Sequence, residues 1–309
     1  MRANLSHRLR HHACLVIALA LSLLALQASG SPADITYRSS VSEVRLTFFA
    51  SDEHHRGVSN LQAADIAVVD DGTVIRNFRS FELSPITRLQ VVVLLDESQS
   101  VLAASREEAT DVLRLISDNA AVAEDRLSVI SFGGMQSKIV CAGNCRSVAL
   151  EKLLTSMHAD GATPLFDALE FAGNFITRNR DPEARPVLIL FSDGEDTISK
   201  TSSRQALEAV FASEAPVYAV DLNQDGRHAD GSSTLEGIAA ATGGQHLRGR
   251  QGAVEILNAV LQDLRAGYLV SYRLPNQQSG FHWVRVLPTH NAKLQFRCRN
   301  GYVYQPNDR

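Results

Sequence analysis

The stretch Leu89-Gln-Val-Val-Val-Leu-Leu-Asp96-Glu-Ser-Gln-Ser100 decides the fold. From Leu89 to Leu95 it is apolar apart from Gln90, without the alternation of a half-exposed strand. Such a run belongs to a strand covered on both faces, as in a parallel sheet clothed by helices. At Asp96 the apolar run stops and oxygen-bearing side chains begin. Working outward, Arg126 to Phe132, Val187 to Phe191 and Pro216 to Val220 read as further strands. Between and after them lie segments with apolar residues at i, i+3, i+4 and i+7. One carries Ala109, Val112, Leu113 and Ile116, and another Leu165, Ala168, Leu169, Ala172 and Ile176. Arg204–Ala212, Leu235–Ala241 and Val254–Leu264 suit three more helices. Strands alternating with amphipathic helices predict an α/β domain over residues 88–266, with a doubly wound, Rossmann-like, mostly parallel sheet.

Both flanks read as β structure. In the region 31–87, Val44, Leu46 and Phe48 alternate with polar residues, and Asp70-Asp71-Gly72 separates Ile66–Val69 from Thr73–Ile75 as a hairpin turn would. In the region 267–309, Tyr268–Leu274, Phe281–Leu287 and Leu294–Tyr304 read as strands. The two flanks are expected to pack together as a small β-sandwich, with Trp283, Phe281, Tyr268 and Tyr272 filling the C-terminal part.

Residues 1–30 differ from the rest. Arg2, Arg8, Arg10, His11 and His12 precede an apolar run from Ala13 to Leu26, and Ala28-Ser-Gly30 follows. A basic start, a short apolar core and a small-x-small site make a secretory signal peptide. The run falls short of the ~20 residues of a spanning helix, which argues against an anchor, and no stable membrane span is expected once it is cleaved. The chain is therefore expected to be exported, either periplasmic or secreted. Cys141-Ala-Gly-Asn-Cys145 carries a turn signal that would let the pair close a disulfide in an oxidising compartment. Cys298 is then left over, either buried or exposed and reactive. A net charge of -4 without a basic stripe gives nucleic acid no electrostatic footing.

The chemistry concentrates after two strands. Asp96, Ser98 and Ser100 follow Leu95, while Asp193 follows Phe191 with Ser192 between. In an open parallel sheet, ligands bind beyond the carboxyl ends of strands, so both aspartates are expected in one crevice. Thr163 and Pro164 precede a helix and are expected as its N-cap and first residue. Two carboxylates and three hydroxyls form an all-oxygen set suited to a hard divalent cation, Mg²⁺ first, then Mn²⁺ or Ca²⁺. Such a shell leaves room for a carboxylate from a partner.

Asp96-x-Ser98-x-Ser100 with Thr163 and Asp193 resembles the metal-ion-dependent adhesion site of von Willebrand factor A domains, found in integrins and many bacterial proteins. The phrases Gly161-Ala-Thr-Pro-Leu-Phe-Asp-Ala168 and Phe191-Ser-Asp-Gly-Glu-Asp-Thr197 resemble the family's strings too. The resemblance implies that Ser98 and Ser100 bind the metal directly, and that Asp96, Thr163 and Asp193 do so directly or through water. It implies that Val254–Leu264 is the helix that shifts in integrin-type domains. The flanking passages Asn60–Gly72 and Arg299–Tyr302 resemble a narrower group, the VWFA-related proteins known chiefly from Acidobacteria.

Rival chemistries lack their parts. No Gly-x-Ser-x-Gly elbow surrounds Ser98 or Ser100, and no phosphate-binding Gly/Lys loop accompanies Asp96. No catalytic residue is therefore assigned. Asp221-x-Asn223-x-Asp225-Gly226 copies half of a Ca²⁺ loop, but Ser232 stands where the bidentate Glu belongs. A polar loop is expected there. The sequence predicts a metal-dependent protein-binding module for a partner offering an acidic residue. The alternatives are an envelope component with a structural metal and, behind it, a hydrolase.

Overall fold

In the computed structural model, which describes residues 42–83, 88–101, 111, 126–143, 145, 161–223, 229–249 and 252–306, the opening stretch forms strand β5 (Arg88–Asp96). It lies inside a six-stranded sheet. Parallel neighbours flank it on both sides: β6 (Arg126–Gly133) on one, and β8 (Ala184–Ser192), β9 (Val217–Asp221) and β10 (His246–Arg248) in succession on the other. Val91, Val93 and Leu95 of β5 point into one core, and Val92 and Leu94 into another. That division explains the unbroken apolar run, because neither face of this strand meets water.

The first core is closed by α4 (Ala253–Arg265) through Ile256, Leu257, Val260, Leu261 and Leu264. The second is closed by α1 (Leu165–Arg178), α2 (Ser203–Ser213) and α3 (Ala229–Thr242). Leu165, Ala168, Leu169, Ala172 and Ile176 of α1 are all fully buried, as their spacing predicts. Gly173 lets α1 and α2 cross closely, since a Cβ there would lie 2.6 Å from the Ala209 carbonyl carbon.

The structure differs from the expectation in several places. A strand unpredicted from the sequence, β7 (Gln136–Cys141), pairs antiparallel with β6 across the Gly134-Met135 turn and forms the sheet edge. Its residues are mostly part-exposed or exposed, so no apolar pattern announces it. Helix α3 begins at Ala229, before the expected Leu235, because its first turn is polar. The leader segment 1–30 and the helix bearing Ala109, Val112, Leu113 and Ile116 lie outside the described residues. Among the described residues no helix is long and apolar enough to cross a membrane.

The flanks interleave. One antiparallel sheet has the order β13 (Gln295–Cys298), β1 (Glu43–Ser51), β11 (Gly267–Arg273), β4 (Ser80–Leu83). The other has the order β14 (Gly301–Tyr304), β12 (Gly280–Pro288), β2 (Ile66–Asp70), β3 (Thr73–Ile75). In each, an N-terminal strand pairs with a C-terminal one: Leu46 opposite Val270, and Val68 opposite Val286. The inner residues of both sheets share one core, including Phe48, Tyr268, Tyr272, Val284 and Tyr302. The expected single strand Leu294–Tyr304 is in fact two, β13 and β14, which serve different sheets. Trp283 corrects a second expectation. Its side chain is 64% exposed and meets Phe281 edge-on, because β12 alternates and position 283 faces outward. The β2–β3 turn has Asp71 at φ 45 and Gly72 at φ 83, the positive φ pair that a two-residue type I′ hairpin requires.

Arg297 fastens the sandwich to the α/β unit. Its guanidinium pairs with Asp263 of α4 and donates to the Gly244 carbonyl at 2.7 Å. Tyr218 of β9 donates to the same carboxylate at 2.7 Å. Burial holds the Tyr218 hydroxyl well above its ordinary value, with the Asp263 charge adding to the effect, so it remains a donor.

Candidate functional site

The C-terminal ends of β5 and β8 lie side by side and set Asp96 and Asp193 on adjacent loops. Asp96 is fully buried and Asp193 is 1% exposed. The Ser98 backbone N–H donates to Asp96 Oδ1 at 2.8 Å, and the Ser192 hydroxyl donates to Oδ2 at 2.6 Å. Ser100, at the exposed rim, donates to Asp193 Oδ2 at 2.7 Å and lies 3.2 Å from the Ser98 hydroxyl. The Glu195 N–H donates to the other Asp193 oxygen at 3.2 Å. Four of the five expected donors, Asp96, Ser98, Ser100 and Asp193, therefore form one hydrogen-bonded cluster at the mouth of the crevice.

Thr163 reaches the same region by a different route from the expected N-cap. Pro164 is the cap residue of α1 and Leu165 its first helical residue, and Thr163 makes no cap bond. The helix start is capped from outside. Ser199 Oγ accepts from the Phe166 and Asp167 N–H groups at 3.0 and 3.1 Å. Thr163 is instead buried and tied to the Asp193 loop. Its N–H donates to Thr197 Oγ1 at 2.8 Å, and its carbonyl accepts from the Thr197 N–H at 2.9 Å.

Two residues escaped the sequence reading as parts of the site. Ser192 bridges it, donating to Asp96 and accepting from the Gly194 N–H at 3.0 Å. Its signal was a hydroxyl closing an otherwise apolar strand. Gly231 of α3 is the other. A Cβ on Gly194 would lie 2.0 Å from the Gly231 carbonyl oxygen, and Gly194 has φ 80, so only paired glycines let the Asp193 loop sit there.

Electrostatically the crevice is short of positive charge. Burial pushes the Asp96 carboxyl up to about 6, hydrogen bonds from Ser192 and Ser98 pull it back, and the Asp193 charge adds to the rise. Among the described residues neither aspartate forms an ion pair with Lys, Arg or His. Two buried carboxylates with hydroxyls around them, and among the described residues no cationic side chain paired to them, are a donor set that a hard divalent cation fits.

The other sequence candidates settle differently. Cys141 and Cys145 are joined by a disulfide, with Cα atoms 5.8 Å apart. Cys298 is free and buried. Asp221 is engaged by the chain itself, accepting from Ser232 Oγ at 2.6 Å and the Asn223 N–H at 2.9 Å. Asp225 and Gly226 lie outside the described residues.

Among solved structures the chain is similar to several at low identity. Proximal thread matrix protein 1 from the mussel byssus is 15% identical, with 59% of this chain and 49% of that one covered at a TM-score of 0.45. A von Willebrand factor type A protein from Catenulispora acidiphila is 12% identical over 88% of this chain and 76% of that one, at 0.45. The vWF domain of the type V pilus tip protein Mfa5 from Porphyromonas gingivalis is 16% identical over 39% and 44%, at 0.32. The chain thus spans about half the length of the first of these. No curated protein matches it. The family model described as the von Willebrand factor type A domain matches residues 91–195, from within β5 through the Asp193 loop. By that match residues 91–195 are similar to a von Willebrand factor type A domain, and the α/β part of the chain has that fold.

Proposed function

We propose that this chain is an exported, non-enzymatic binding module that engages an acidic group of a partner protein through a divalent cation, Mg²⁺ in the first place. The observation that carries this reading is the pair of buried carboxylates, Asp96 and Asp193, ringed by hydroxyls and, among the described residues, without an ion-pair partner. Ser98, Ser100 and the two aspartates would hold the ion, with Thr163 beside them. When bound, the ion supplies an open coordination position of positive charge for an incoming carboxylate. The residues of the chain do the rest. Ser192 and the Ser98 N–H orient Asp96, and Glu195 and Ser100 orient Asp193. Export rests on the N-terminal sequence, in accord with a disulfide in the described part of the chain.

The test is capture of cell-envelope proteins on the immobilised chain, with Mg²⁺ or with chelator. Partners that bind with Mg²⁺, elute with chelator and are lost on Asp193→Ala support the reading. Partners that persist on Asp193→Ala and in chelator overturn it.

A further inference from the structure

A second polar cluster lies in the sandwich, apart from Asp96. Asp70 ends β2 fully buried, Asp71 stands at the β2–β3 turn, and His282 of β12 is 2% exposed. Asp70 Oδ2 accepts from Tyr272 at 2.8 Å and from Tyr302 at 2.7 Å. Burial, followed by the Asp70 charge and hydrogen bond, holds both phenols far above their ordinary range, so they stay donors. Asp70 Oδ1 has no hydrogen bond, and neither does His282 Nδ1. Yet these two atoms face each other at 3.7 Å, and Asp71 Oδ2 lies 2.9 Å from Nδ1 without hydrogen-bond geometry.

The other ring nitrogen fixes the tautomer. His282 Nε2 sits 2.8 Å from the Gln278 carbonyl oxygen, which can only accept, so Nε2 carries a proton. A neutral ring then aims the Nδ1 lone pair at two carboxylate oxygens. That arrangement is repulsive unless a positive species lies among the three atoms.

We propose that Asp70 Oδ1, Asp71 Oδ2 and His282 Nδ1 form a second cation site, of the mixed imidazole–carboxylate kind that takes Zn²⁺ in preference to Mg²⁺. The three ligand atoms lie within 4.8 Å of one another. Ligands at zinc distances in a tetrahedral shell stand about 3.4 Å apart, and the separations of 2.9 and 3.7 Å bracket that value. Each ligand has the outer support that metal ligands use. The tyrosines hold Asp70, the Trp283 N–H holds Asp71 Oδ1 at 2.8 Å, and Gln278 holds the imidazole. Asp71 is the solvent-facing member and leaves the fourth position to water. Because Asp70 and Asp71 come from the N-terminal strands and His282 from the C-terminal ones, the ion clamps the two halves of the sandwich.

The test uses the full chain, stripped with chelator and carrying Asp193→Ala to disable the crevice at Asp96. Zn²⁺ is titrated calorimetrically, and Co²⁺ is used for its visible absorption bands. One equivalent of Zn²⁺ is expected, with Co²⁺ bands that report an imidazole ligand and vanish on His282→Gln. Asp71→Asn, at the rim and mild to the fold, is expected to weaken Zn²⁺ by ~10-fold or more, and Tyr302→Phe by ~10–100-fold. Absence of Zn²⁺ binding in the Asp193→Ala chain overturns the proposal, as does binding indifferent to Asp71→Asn in a chain that folds by circular dichroism. A ¹⁵N imidazole spectrum showing His282 doubly protonated in excess Zn²⁺ at neutral pH overturns it too, because a proton then fills the space.

Discussion

Gly194 is the residue on which the geometry of the crevice most depends without offering a ligand. Gly194→Ala forces a Cβ into the Gly231 carbonyl at a backbone angle that L residues avoid. The expected loss is about 3 kcal/mol in urea denaturation, together with weaker Mg²⁺ binding as Asp193 shifts. Cys298 resolves in the opposite sense, as an inert group. Burial pushes its thiol up to about 11 from an ordinary 9.0. Between those values the unfolded chain has lost the proton and the folded chain keeps it, so stability falls as pH rises from 9 to 11, by up to about 3 kcal/mol. Ellman's reagent is expected to leave Cys298 unmodified in the native protein at pH 8 and to label it after denaturation. The sequence named the aspartates and serines of the crevice because each stands where an apolar strand ends. It did not locate Gly231, since a glycine in a polar helical turn carries no mark of the loop it must admit. Cys298 was ambiguous for a related reason: its burial depends on which sheet its strand joins.

At the scale of elements, α1 depends on the loop after β8 for its cap. Ser199→Ala removes an acceptor shared by two N–H groups and is expected to cost about 1 kcal/mol. A Mg²⁺ titration of the same variant checks whether the Thr163 loop loosens with the helix start. Strand β5 and helix α1 were readable because burial on both faces, or on one helical face, writes a period into the residues. Strand β7 was not, because its mostly solvated positions carry no such period. The Thr163 cap was misread because Thr-Pro before an apolar run is a cap signal by itself. Only the Ser199 loop, distant in sequence, reassigns that duty and frees Thr163 to join the Asp193 loop through Thr197.

For the whole molecule, the interleaved sandwich makes the two flanks a single structural unit. A chain ending at residue 266 would lack β11 to β14, leaving β1 and β4 without β11 and β2 without β12. Such a truncation is expected to aggregate during size-exclusion chromatography, because unpaired apolar strands expose edges. Reduction of Cys141–Cys145 is expected to be milder. The loop it closes is short, so the loss is about 2 kcal/mol by the chain-entropy relation, readable as a lower melting temperature. That the flanks are β was legible from alternation at Val44–Phe48. Which strands of one flank pair with which of the other was not, since pairing across so long a separation leaves no local trace.

That separation has a kinetic meaning. Tyr302 and Asp70 meet across 232 residues of chain, and the whole α/β domain lies in the loop they close. While that domain is an unfolded coil, closure must be paid in full; once it has folded, its ends are already near and the strands need only zip. The sandwich is therefore expected to form late, and during synthesis β1 waits unpaired, and β2 with only its β3 hairpin, until β11 and β12 have emerged. Refolding followed at Tyr272 and Tyr302 should lag behind the helical signal, as β1 and β2 join β11 and β12 only after the α/β domain has folded between them.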